Sequence, residues 1–287
     1  MLYGAFGCWM SRLFRQRISW RGFAFCRINP PKKATMTSSA LALTDQESTL
    51  RRLLLDVAQY VGSLNGHKTP QLRFTGGWVR DKLLGSESHD IDIGIDSLTG
   101  VQFGDHMKNY LNHADSRSRY PSGVLGALAK IEANPEKSKH LETVTTKIFG
   151  LEIDLVNLRK ETYTEESRNP AMEFGSPEED ALRRDATVNA LFYNLSSGKV
   201  EDLTGRGLQD LDRKVIKTPL RPLQTFKDDP LRVLRAIRFA SRLGFEIDKD
   251  DMAAMKDSSI KEALRIKISR ERIGVEVVKM LQGQSTF

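Results

Sequence analysis

Two aspartates separated by a single residue, Asp90 and Asp92, are the side chains of this sequence best suited to bind a metal ion. On a β-strand, alternate side chains project from the same face, roughly 6–7 Å apart along the chain. Two carboxylates held in this way repel each other unless a cation lies between them. Mg²⁺ prefers oxygen ligands and completes its shell with water and substrate phosphates. The pair therefore predicts half of a phosphoryl-transfer site.

A double glycine followed by a basic residue, Gly76-Gly77 and Arg80, precedes this predicted strand. Because the glycines lack side chains, backbone N–H groups can approach a triphosphate, and Arg80 can add charge-assisted hydrogen bonds. Two glycines between a strand and a helix more often form only a tight turn, which is the structural alternative. In combination with the paired aspartates, the glycines favour a nucleotide site.

A second polar group, Arg184, Asp185 and Asn189, lies in a segment that we predict to be helical. Residues four apart share one face of a helix, so Asp185 and Asn189 are expected to lie side by side. A carboxylate that accepts hydrogen bonds, beside an amide that both donates and accepts them, can bracket the hydroxyls of a ribose. Arg184 would then reach a phosphate. The alternative is a routine polar pair on a solvated helix.

A third group opens another predicted helix, with Asp229 as N-cap and Pro230 at the first helical position. Arg232, Arg235 and Arg238 follow at three-residue intervals. Asp can only accept a hydrogen bond from an amino group, whereas Arg can only donate to a ring nitrogen or a carbonyl. Such a pair would accept cytosine and adenine and reject uracil and guanine without a template. The alternative is an N-cap aspartate that opens a basic, solvent-facing helix.

Asp154 is a candidate third metal ligand, because its predicted strand could lie beside that of Asp90 and Asp92. The alternative, a surface residue on a hairpin, fits the sequence equally well. The histidines show no ligand spacing, and no serine or cysteine nucleophile arrangement is visible. All the candidates therefore belong to one class of chemistry, the metal-assisted transfer of a phosphate group.

Helices and strands are predicted around these groups from hydrophobic periodicity and capping signals. A capping box formed by Thr44 and Glu47 opens a helix that ends near Gly62. A strand over residues 72–75 leads into the glycine turn. A β-hairpin is predicted over residues 141–157.

Strands mixed with helices over residues 45–215 predict an α/β or α+β head, and the periodicity becomes purely helical from residue 228. The first of these helices is expected to end near Gly244, and further helices are expected near residues 249–256 and 270–282, the latter capped by Ser269. Residues 178–195 are predicted to be helical, or a helix that leads into a strand. The less regular stretches are a long loop with some helix over residues 112–140 and a polar, turn-rich stretch over residues 161–179.

Charge is distributed unevenly along the 287 residues. No acidic residue precedes Asp45, whereas seven basic ones do, and removing these seven from the 44 basic residues leaves 37, equal to the 37 acidic ones. The net charge of +7 therefore belongs to a leader over residues 1–43. An Arg-rich, acid-free leader resembles a mitochondrial transit peptide, with a disordered basic arm as the alternative. No apolar run approaches the roughly 18 residues that a membrane span requires.

The leader also contains a possible second start and both cysteines. Initiation at Met36 would give a cytoplasmic or nuclear form without the mitochondrial address. Because Cys8 and Cys26 both precede Met36, the mature protein is expected to have no disulfide partner and no cysteine zinc site.

Four motifs occur in the order seen in class II CCA-adding enzymes: GGWVRD with DIDI, RRDATVNA, DDPLR and SRERIGVEV. Over roughly residues 45–282 the chain resembles this family, the tRNA nucleotidyltransferases of bacteria and eukaryotes, and in particular its fungal- or plant-type branch. The resemblance implies an α+β head of the DNA polymerase β superfamily, with a mixed sheet, over residues 44–215 and an all-helical neck over residues 216–287. It also implies Mg²⁺, CTP, ATP and the tRNA 3′ end.

The resemblance carries roles onto the matching positions. Asp90 and Asp92 correspond to the catalytic metal ligands. Arg272 would support the neck helix, and residues 204–211 resemble a hinge. The positions that resemble the nucleotide contacts of the family are Gly77, Arg80, Arg184, Asp185, Asn189, Asp229, Arg232, Arg235 and Arg238.

The sequence departs from the family pattern in two respects. Asp228-Asp229 stands where the family usually has Glu-Asp, which keeps the charge. The family continues into helical body and tail domains that grip tRNA, so this chain is expected to be truncated at its C-terminus and to hold tRNA poorly. The alternatives that share the motifs are a poly(A) polymerase, a CC-only or A-only adding enzyme, and a truncated nucleotide- or RNA-binding form.

Overall fold

A mixed β-sheet of seven strands organises the part of the chain that precedes the last helices. The computed structural model describes residues 41–66, 68–88, 90–131, 143–164 and 167–282. The leader predicted over residues 1–43, with Met36 and both cysteines, therefore lies almost entirely outside the described residues.

Short strands and helices alternate along the described residues. The strands are β1 (Leu72–Thr75), β2 (Asp90–Ile95), β3 (Ala129–Ile131), β4 (Thr143–Ile148), β5 (Leu151–Asn157), β6 (Arg159–Thr164), β7 (Ser167–Phe174), β8 (Leu191–Asn194), β9 (Lys199–Asp202), β10 (Val215–Ile216) and β11 (Glu246–Ile247). The helices are α1 (Asp45–Ser63), α2 (Gly77–Leu83), α3 (Gly100–Asn112), α4 (Ala114–Arg119), α5 (Pro177–Leu182), α6 (Gly207–Asp212), α7 (Pro222–Asp228), α8 (Leu231–Leu243), α9 (Lys249–Met255), α10 (Ser258–Lys267) and α11 (Arg270–Leu281).

The sheet has the strand order β3-β4-β5-β2-β1-β8-β9. The β2–β5 pair is parallel and the other pairs are antiparallel. A separate hairpin joins β6 to β7, and β10 pairs in parallel with β11. Helices together with a mixed sheet make the protein α+β, as the sequence predicts.

The two faces of β2 differ because its side chains alternate. Ile91, Ile93 and Ile95 are buried in the apolar core that also contains the inner sides of α1 and α3. Each buried isoleucine contributes about 1.5–3 kcal/mol to folding, so this face of the strand is strongly specified. Asp90 and Asp92 are thereby directed to the opposite face.

The strand register brings polar side chains of neighbouring strands into one row. Thr75 of β1 lies opposite Asp92, and Asp92 lies opposite Asp154 of β5. The predicted hairpin is confirmed, since β4 and β5 are antiparallel and turn at Gly150, whose φ is +82°. The expectation that Asp154 lies beside the paired aspartates is therefore also confirmed.

Two predictions of local structure are wrong. The segment from Asp185 to Asn189 is not an α-helix, because Ala186 is extended and only Thr187–Asn189 forms a 3₁₀ turn. The stretch over residues 161–179 is not mainly turns, since most of it forms the β6–β7 hairpin. A strand ladder is held by backbone hydrogen bonds, so a polar sequence without clear alternation can still form it.

The helical part of the chain begins earlier than predicted, with α7. The next helix, α8, begins at Leu231, so Pro230 is its N-cap and not its first residue, although Asp229 Oδ1 still accepts a hydrogen bond from Leu231 N at 3.1 Å. Gly244 ends α8 with a φ of +66°, as predicted. Ser269 caps α11, also as predicted. A further helix, α10, was not predicted; it is capped by Asp257.

The predicted boundary between head and neck at residue 215 stays a prediction. The parallel pairing of β10 with β11 connects the end of the head to the residues that follow α8. The predicted loop over residues 112–140 contains α4 and β3, and residues 132–142 lie outside the described residues. No helix in the described part of the chain is both long and apolar enough to cross a membrane.

A buried carboxylate, Asp251 of α9, ties this helix to the segment after β10. It accepts hydrogen bonds from Thr218 N at 2.7 Å and from Thr218 Oγ1 at 3.0 Å. Burial raises the pKa of Asp251 to about 6, although these hydrogen bonds oppose the increase. In the unfolded chain the carboxyl ionises near about pH 4. The stability that this group contributes is therefore fully present below about pH 4 and is lost as the pH rises through 6.

Replacing this carboxylate should make the unfolding free energy less dependent on pH. We expect the unfolding free energy of the wild type, minus that of Asp251→Asn, to fall by about 2–3 kcal/mol between pH 4 and pH 7. Asn keeps an oxygen acceptor for Thr218 but does not titrate. Urea unfolding at a series of pH values measures the difference. Asp250→Asn, at an exposed neighbouring position, is the control, and parallel curves for wild type and Asp251→Asn would contradict the prediction.

Candidate active site

A cavity of about 610 Å³ lies between the polar face of the sheet, the glycine turn, the β6 strand and the helices α8 and α11. Most of the predicted site residues meet here. Asp90 and Arg238 are not among the lining residues. Those that do line it are Gly76, Gly77, Arg80, Asp92, Asp154, Arg184, Asp185, Asn189, Asp229, Arg232 and Arg235.

The carboxylates on β2 and β5 form the acidic side of the cavity. Asp92 is half-buried, and Asp90 is exposed at the start of the same strand. Burial raises the pKa of Asp92 to about 6; Arg184 opposes this increase, and the charges of Asp154 and Asp90 add to it. The negative charge at Asp92 is therefore incompletely compensated by the protein.

These carboxylates fit a divalent cation, which would supply the missing compensation. In the described ranges, no group of three or more His, Cys, Asp or Glu side chains is arranged to hold a metal ion. Asp154 Oδ1 instead accepts a hydrogen bond from Thr145 Oγ1 at 2.6 Å, so the structure gives no separate support to Asp154 as a third ligand. Mg²⁺ needs only one or two carboxylates when water and phosphates complete its shell. Asp90 and Asp92 therefore remain the predicted donor set.

The glycine turn lies beside Asp92. Gly76 has a φ of +73°, and a Cβ at this position would lie 3.0 Å from Arg184 Nη1 and 3.6 Å from Asp92 Oδ2. Any side chain here would be both strained and crowded. The N–H of Gly76 already donates to Leu191 O at 3.2 Å. The backbone N–H group that is predicted to approach a triphosphate is therefore that of Gly77, the first residue of α2.

Arg80 is buried and fixed on three sides. Its Nε and Nη2 donate to the two carboxylate oxygens of Asp81 at 2.8 and 2.9 Å, and its Nη1 donates to Asn189 Oδ1. The guanidinium also lies 5.5 Å from the ring centroid of Phe239. The second hydrogens of Nη1 and Nη2 are thereby held in fixed positions, from which they can donate to phosphate oxygens.

Asp180, which the sequence analysis missed, holds the arginines that line the cavity. Arg184 Nε and Nη2 donate to its Oδ2 at 3.0 and 2.8 Å, and Arg183 Nε donates to its Oδ1 at 2.9 Å. Burial alone would raise the pKa of Asp180, but Arg184 and Arg183 hold it below its usual value. The sequence did contain a signal for this pairing. Asp180 precedes Arg184 by four residues, which is the spacing of an ion pair on a helix.

Asp185 and Asn189 contact each other although the predicted helix between them does not form. Asn189 Nδ2 donates to Asp185 Oδ1 at 3.0 Å, and Arg235 Nε donates to Asp185 Oδ2 at 2.7 Å. Burial would raise the pKa of Asp185, but Arg235 and the Asn189 amide hold it at about 2. Asp185 is therefore ionised at neutral pH.

The predicted base-reading residues lie on the helical side of the cavity. Arg232 is buried, and its Nη2 lies 3.5 Å from Glu161 Oε2 on β6. Glu161 also accepts from Arg183 Nη1 at 3.0 Å. Arg272 lines the cavity, 3.9 Å from Asp229 Oδ2, so its expected support of the neck helix is not its only contact. Sequence reasoning missed Glu161 because its stretch was predicted to be turns.

A family model described as the Poly A polymerase head domain matches residues 72–217. This range covers β1 to β10, which include the carboxylates, the glycine turn and the Asp185–Asn189 segment. The chain belongs to this head-domain family. The predicted nucleotidyltransferase head with a mixed sheet is confirmed, and membership implies a dependence on divalent metal.

Relatives of the head-domain family extend the similarity beyond the matched range. Nucleotidyltransferase lcsQ of Purpureocillium lilacinum is 55% identical over 256 residues, covering 88% of this chain and 43% of the relative. The mitochondrial CCA tRNA nucleotidyltransferase of Saccharomyces cerevisiae is 52% identical over 266 residues, covering 89% and 48%. A solved CCA-adding enzyme in complex with CTP has a TM-score of 0.63 at 27% identity, covering 84% and 48%. The chain thus spans about half the length of these proteins.

Arg238 lies outside the cavity that the head domain shares with α8. Its Nε donates to Glu276 Oε2 on α11 at 2.6 Å, and its guanidinium lies 4.2 Å from the ring centroid of Phe239. Residues three apart turn by about 300°, so Arg238 is displaced by about 120° around the helix from Arg232. Arg238 thus joins α8 to α11, and its contribution to the nucleotide pocket stays a prediction.

Proposed function

We propose that the chain is a tRNA nucleotidyltransferase that adds C, C and A to the tRNA 3′ end from CTP and ATP, without a nucleic-acid template. One observation carries the proposal: a single cavity joins the incompletely compensated carboxylate of Asp92, a side-chain-free glycine turn and a set of pre-organised arginines. The names of the relatives supply the acceptor and the nucleotides. The related poly(A) polymerase and the CC-only or A-only enzymes are outcomes of the test below.

The reaction is an attack of the tRNA 3′-hydroxyl on the α-phosphorus of CTP or ATP, with release of pyrophosphate. Mg²⁺ held by Asp90 and Asp92 would neutralise the reacting oxygens and lower the pKa of the attacking hydroxyl. Gly77 leaves room for the triphosphate beside α2. Arg80 and Arg184 offset its negative charge from fixed positions, so little reorganisation is needed during the reaction.

The remaining contacts select the nucleotide. Asp185 is ionised and still has acceptor capacity beyond its bonds to Asn189 and Arg235, so it can accept from a ribose hydroxyl. Asp229 would accept from the amino group of cytosine or adenine, while Arg232 would donate to the ring nitrogen or carbonyl beside it. Uracil or guanine would leave Asp229 facing a carbonyl, at a cost of about 1–3 kcal/mol.

Location and domain boundaries form part of the same proposal. Because the Saccharomyces cerevisiae relative is named as mitochondrial, and because the leader is Arg-rich and acid-free, we assign the chain to mitochondria, with a second form that starts at Met36. The proposed head covers residues 44–215 and the proposed neck residues 216–287. Mitochondrial targeting by the leader is tested by comparing the mitochondrial import of a fusion protein that carries residues 1–43 with that of one that begins at Met36.

The activity is tested with a tRNA that lacks its 3′ end, each labelled nucleoside triphosphate in turn, and Mg²⁺. Addition of C, C and A in that order supports the proposal. Addition of long A tracts indicates a poly(A) polymerase, and addition of only C or only A indicates a specialised enzyme. Nucleotide binding without any transfer would contradict the proposed activity.

Arg232→Ala should reduce the preference for CTP and ATP over UTP and GTP by about 10- to 100-fold. The reason is that one bidentate base contact is worth about 1–3 kcal/mol. The substitution leaves Glu161 paired with Arg159 and Arg183, so the network around it is retained. Ratios of kcat/KM for the four nucleotides measure the effect. Arg242→Ala, at an exposed position of α8, is the control, and unchanged ratios for Arg232→Ala would contradict base reading by Arg232.

A further inference from the structure

The hydroxyl of Thr75 is buried without a hydrogen-bond partner among the described residues. Thr75 is 1% exposed, ends β1 and lines the active-site cavity. A buried polar group without a partner costs about 1–3 kcal/mol, so natural proteins contain few of them, and those that occur often have a functional reason. Thr75 therefore requires an explanation.

Thr75 stands at one end of a row of polar residues that crosses four strands. The register places Thr75 opposite Asp92, Asp92 opposite Asp154, and Asp154 opposite Thr145. Directly opposed side chains in such a row have Cβ atoms about 4.5–5.5 Å apart. At the far end, Thr145 Oγ1 donates to Asp154. At the near end, Thr75 does not donate to Asp92 in the same way.

The orientation of the Thr75 side chain is set by its methyl group. A Cβ added to Gly94 would lie 2.9 Å from Thr75 Cγ2, so the methyl occupies the space that Gly94 leaves open. Threonine is branched at Cβ and has few χ1 rotamers, so fixing the methyl also fixes the hydroxyl. Thr75, which lines the cavity, is thereby held in a fixed orientation directly before the glycine turn.

The neighbouring donors explain why a hydroxyl would be useful at this point. The N–H of Gly76 is already used by Leu191 O, so it does not serve a ligand. Another positive charge beside Arg80 and Arg184 would require compensation by a further acid, whereas a hydroxyl donates a hydrogen bond without adding charge.

We propose that Thr75 Oγ1 donates a hydrogen bond to a phosphate oxygen of the bound triphosphate, which makes Thr75 a nucleotide-binding residue. The inference rests on the proposed function, because it takes the nucleoside triphosphate as the ligand of this cavity. It goes further in that it assigns a triphosphate contact to the residue before the glycine turn, on the polar side of β1.

Two substitutions isolate the hydroxyl. Thr75→Val keeps the branched shape and the methyl over Gly94 but removes the hydroxyl, whereas Thr75→Ser keeps the hydroxyl. The dissociation constants of CTP, ATP and inorganic tripolyphosphate are measured with Mg²⁺ and without tRNA. We expect Thr75→Val to weaken the binding of all three by about 10- to 100-fold, the value of a hydrogen bond to a charged group. Thr75→Ser should remain within about threefold of the wild type.

Unfolding of the ligand-free protein gives the second readout. Removing an unpaired buried hydroxyl should leave the midpoint of urea unfolding unchanged or raise it, since no hydrogen bond is lost. Binding should therefore fall while stability does not. Equal binding by wild type and Thr75→Val overturns the inference. So does a loss of stability in Thr75→Val that accounts for the weaker binding, which would indicate a structural role.

The two proposals fail in distinguishable ways. A wild-type protein that binds tripolyphosphate and CTP but transfers nothing to tRNA contradicts the proposed function, while the comparison of Thr75→Val with Thr75→Ser still decides the role of the hydroxyl. A wild-type protein that transfers nucleotides, together with a Thr75→Val variant that binds them equally well, contradicts only the inference about Thr75. A wild-type protein that binds no triphosphate contradicts both.

Discussion

Asp90→Asn and Asp92→Asn should each reduce nucleotide incorporation by roughly a thousandfold or more. An amide is a weaker ligand for Mg²⁺ than a carboxylate, and metal-ion catalysis contributes several kcal/mol, with each 1.4 kcal/mol worth a factor of ten. Both side chains lie on the polar face of β2, away from the core formed by Ile91 and its neighbours. The expected loss is therefore in turnover and not in folding.

The stability of Asp92→Asn provides a second, independent test of this prediction. Burial and the neighbouring acids raise the pKa of Asp92 to about 6, which means that its ionised form is disfavoured in the folded protein. Removing the charge should therefore leave the free energy of unfolding at pH 7 unchanged or increase it. Urea unfolding of the metal-free protein measures this.

Asp105→Asn is the matched control, since Asp105 is an exposed acid of α3 outside the cavity. It should retain wild-type turnover under the same Mg²⁺ concentration. Wild-type turnover in Asp90→Asn or Asp92→Asn would contradict the assignment of that aspartate as a metal ligand. A large loss of stability in both variants would instead show that the two carboxylates are structural.

The parts of the fold that follow from local sequence were predictable. The alternation of Asp and Ile over residues 90–95 fixes both the strand and the direction of its two faces. Capping residues such as Thr44 and Ser269 mark helix starts, because their side chains satisfy backbone N–H groups of the first turn. Gly244 marks a helix end because it adopts a left-handed conformation. These signals each depend on only a few neighbouring residues.

The parts that depend on tertiary contacts were not predictable from the same signals. Asp185 and Asn189 were expected to meet across a helical turn, yet they meet across an extended residue and a 3₁₀ turn, held by Arg235 from a distant helix. Glu161 lies on a strand whose polar sequence gave no alternation to read. Arg238 has the same spacing as the other arginines of α8, but only the structure shows that it donates to Glu276 and does not line the cavity.

Replacing Asp180, the acid that sequence reasoning missed, should cause the largest loss of stability among the substitutions at this site. Asp180 is 1% exposed and accepts hydrogen bonds from Arg183, from Arg184 and from the backbone N–H of Arg159. Removing one partner of a buried ionic network costs about 3–5 kcal/mol, because the remaining charges lose their compensation. We expect Asp180→Ala to lower the free energy of unfolding by about this amount.

Activity should fall together with stability in Asp180→Ala, because Arg184 then loses the acid that fixes it beside Gly76 and Asp92. Measurements of KM below the unfolding transition separate the two effects, and a higher KM for CTP and ATP alike is expected. Glu178→Ala is the control, since Glu178 is exposed in the first turn of the same helix and contributes at most about 1 kcal/mol through the helix dipole. Equal unfolding midpoints for Asp180→Ala and Glu178→Ala would show that the arginines do not depend on Asp180, and Arg184 would then be held by Asn189 O and the Phe192 ring alone.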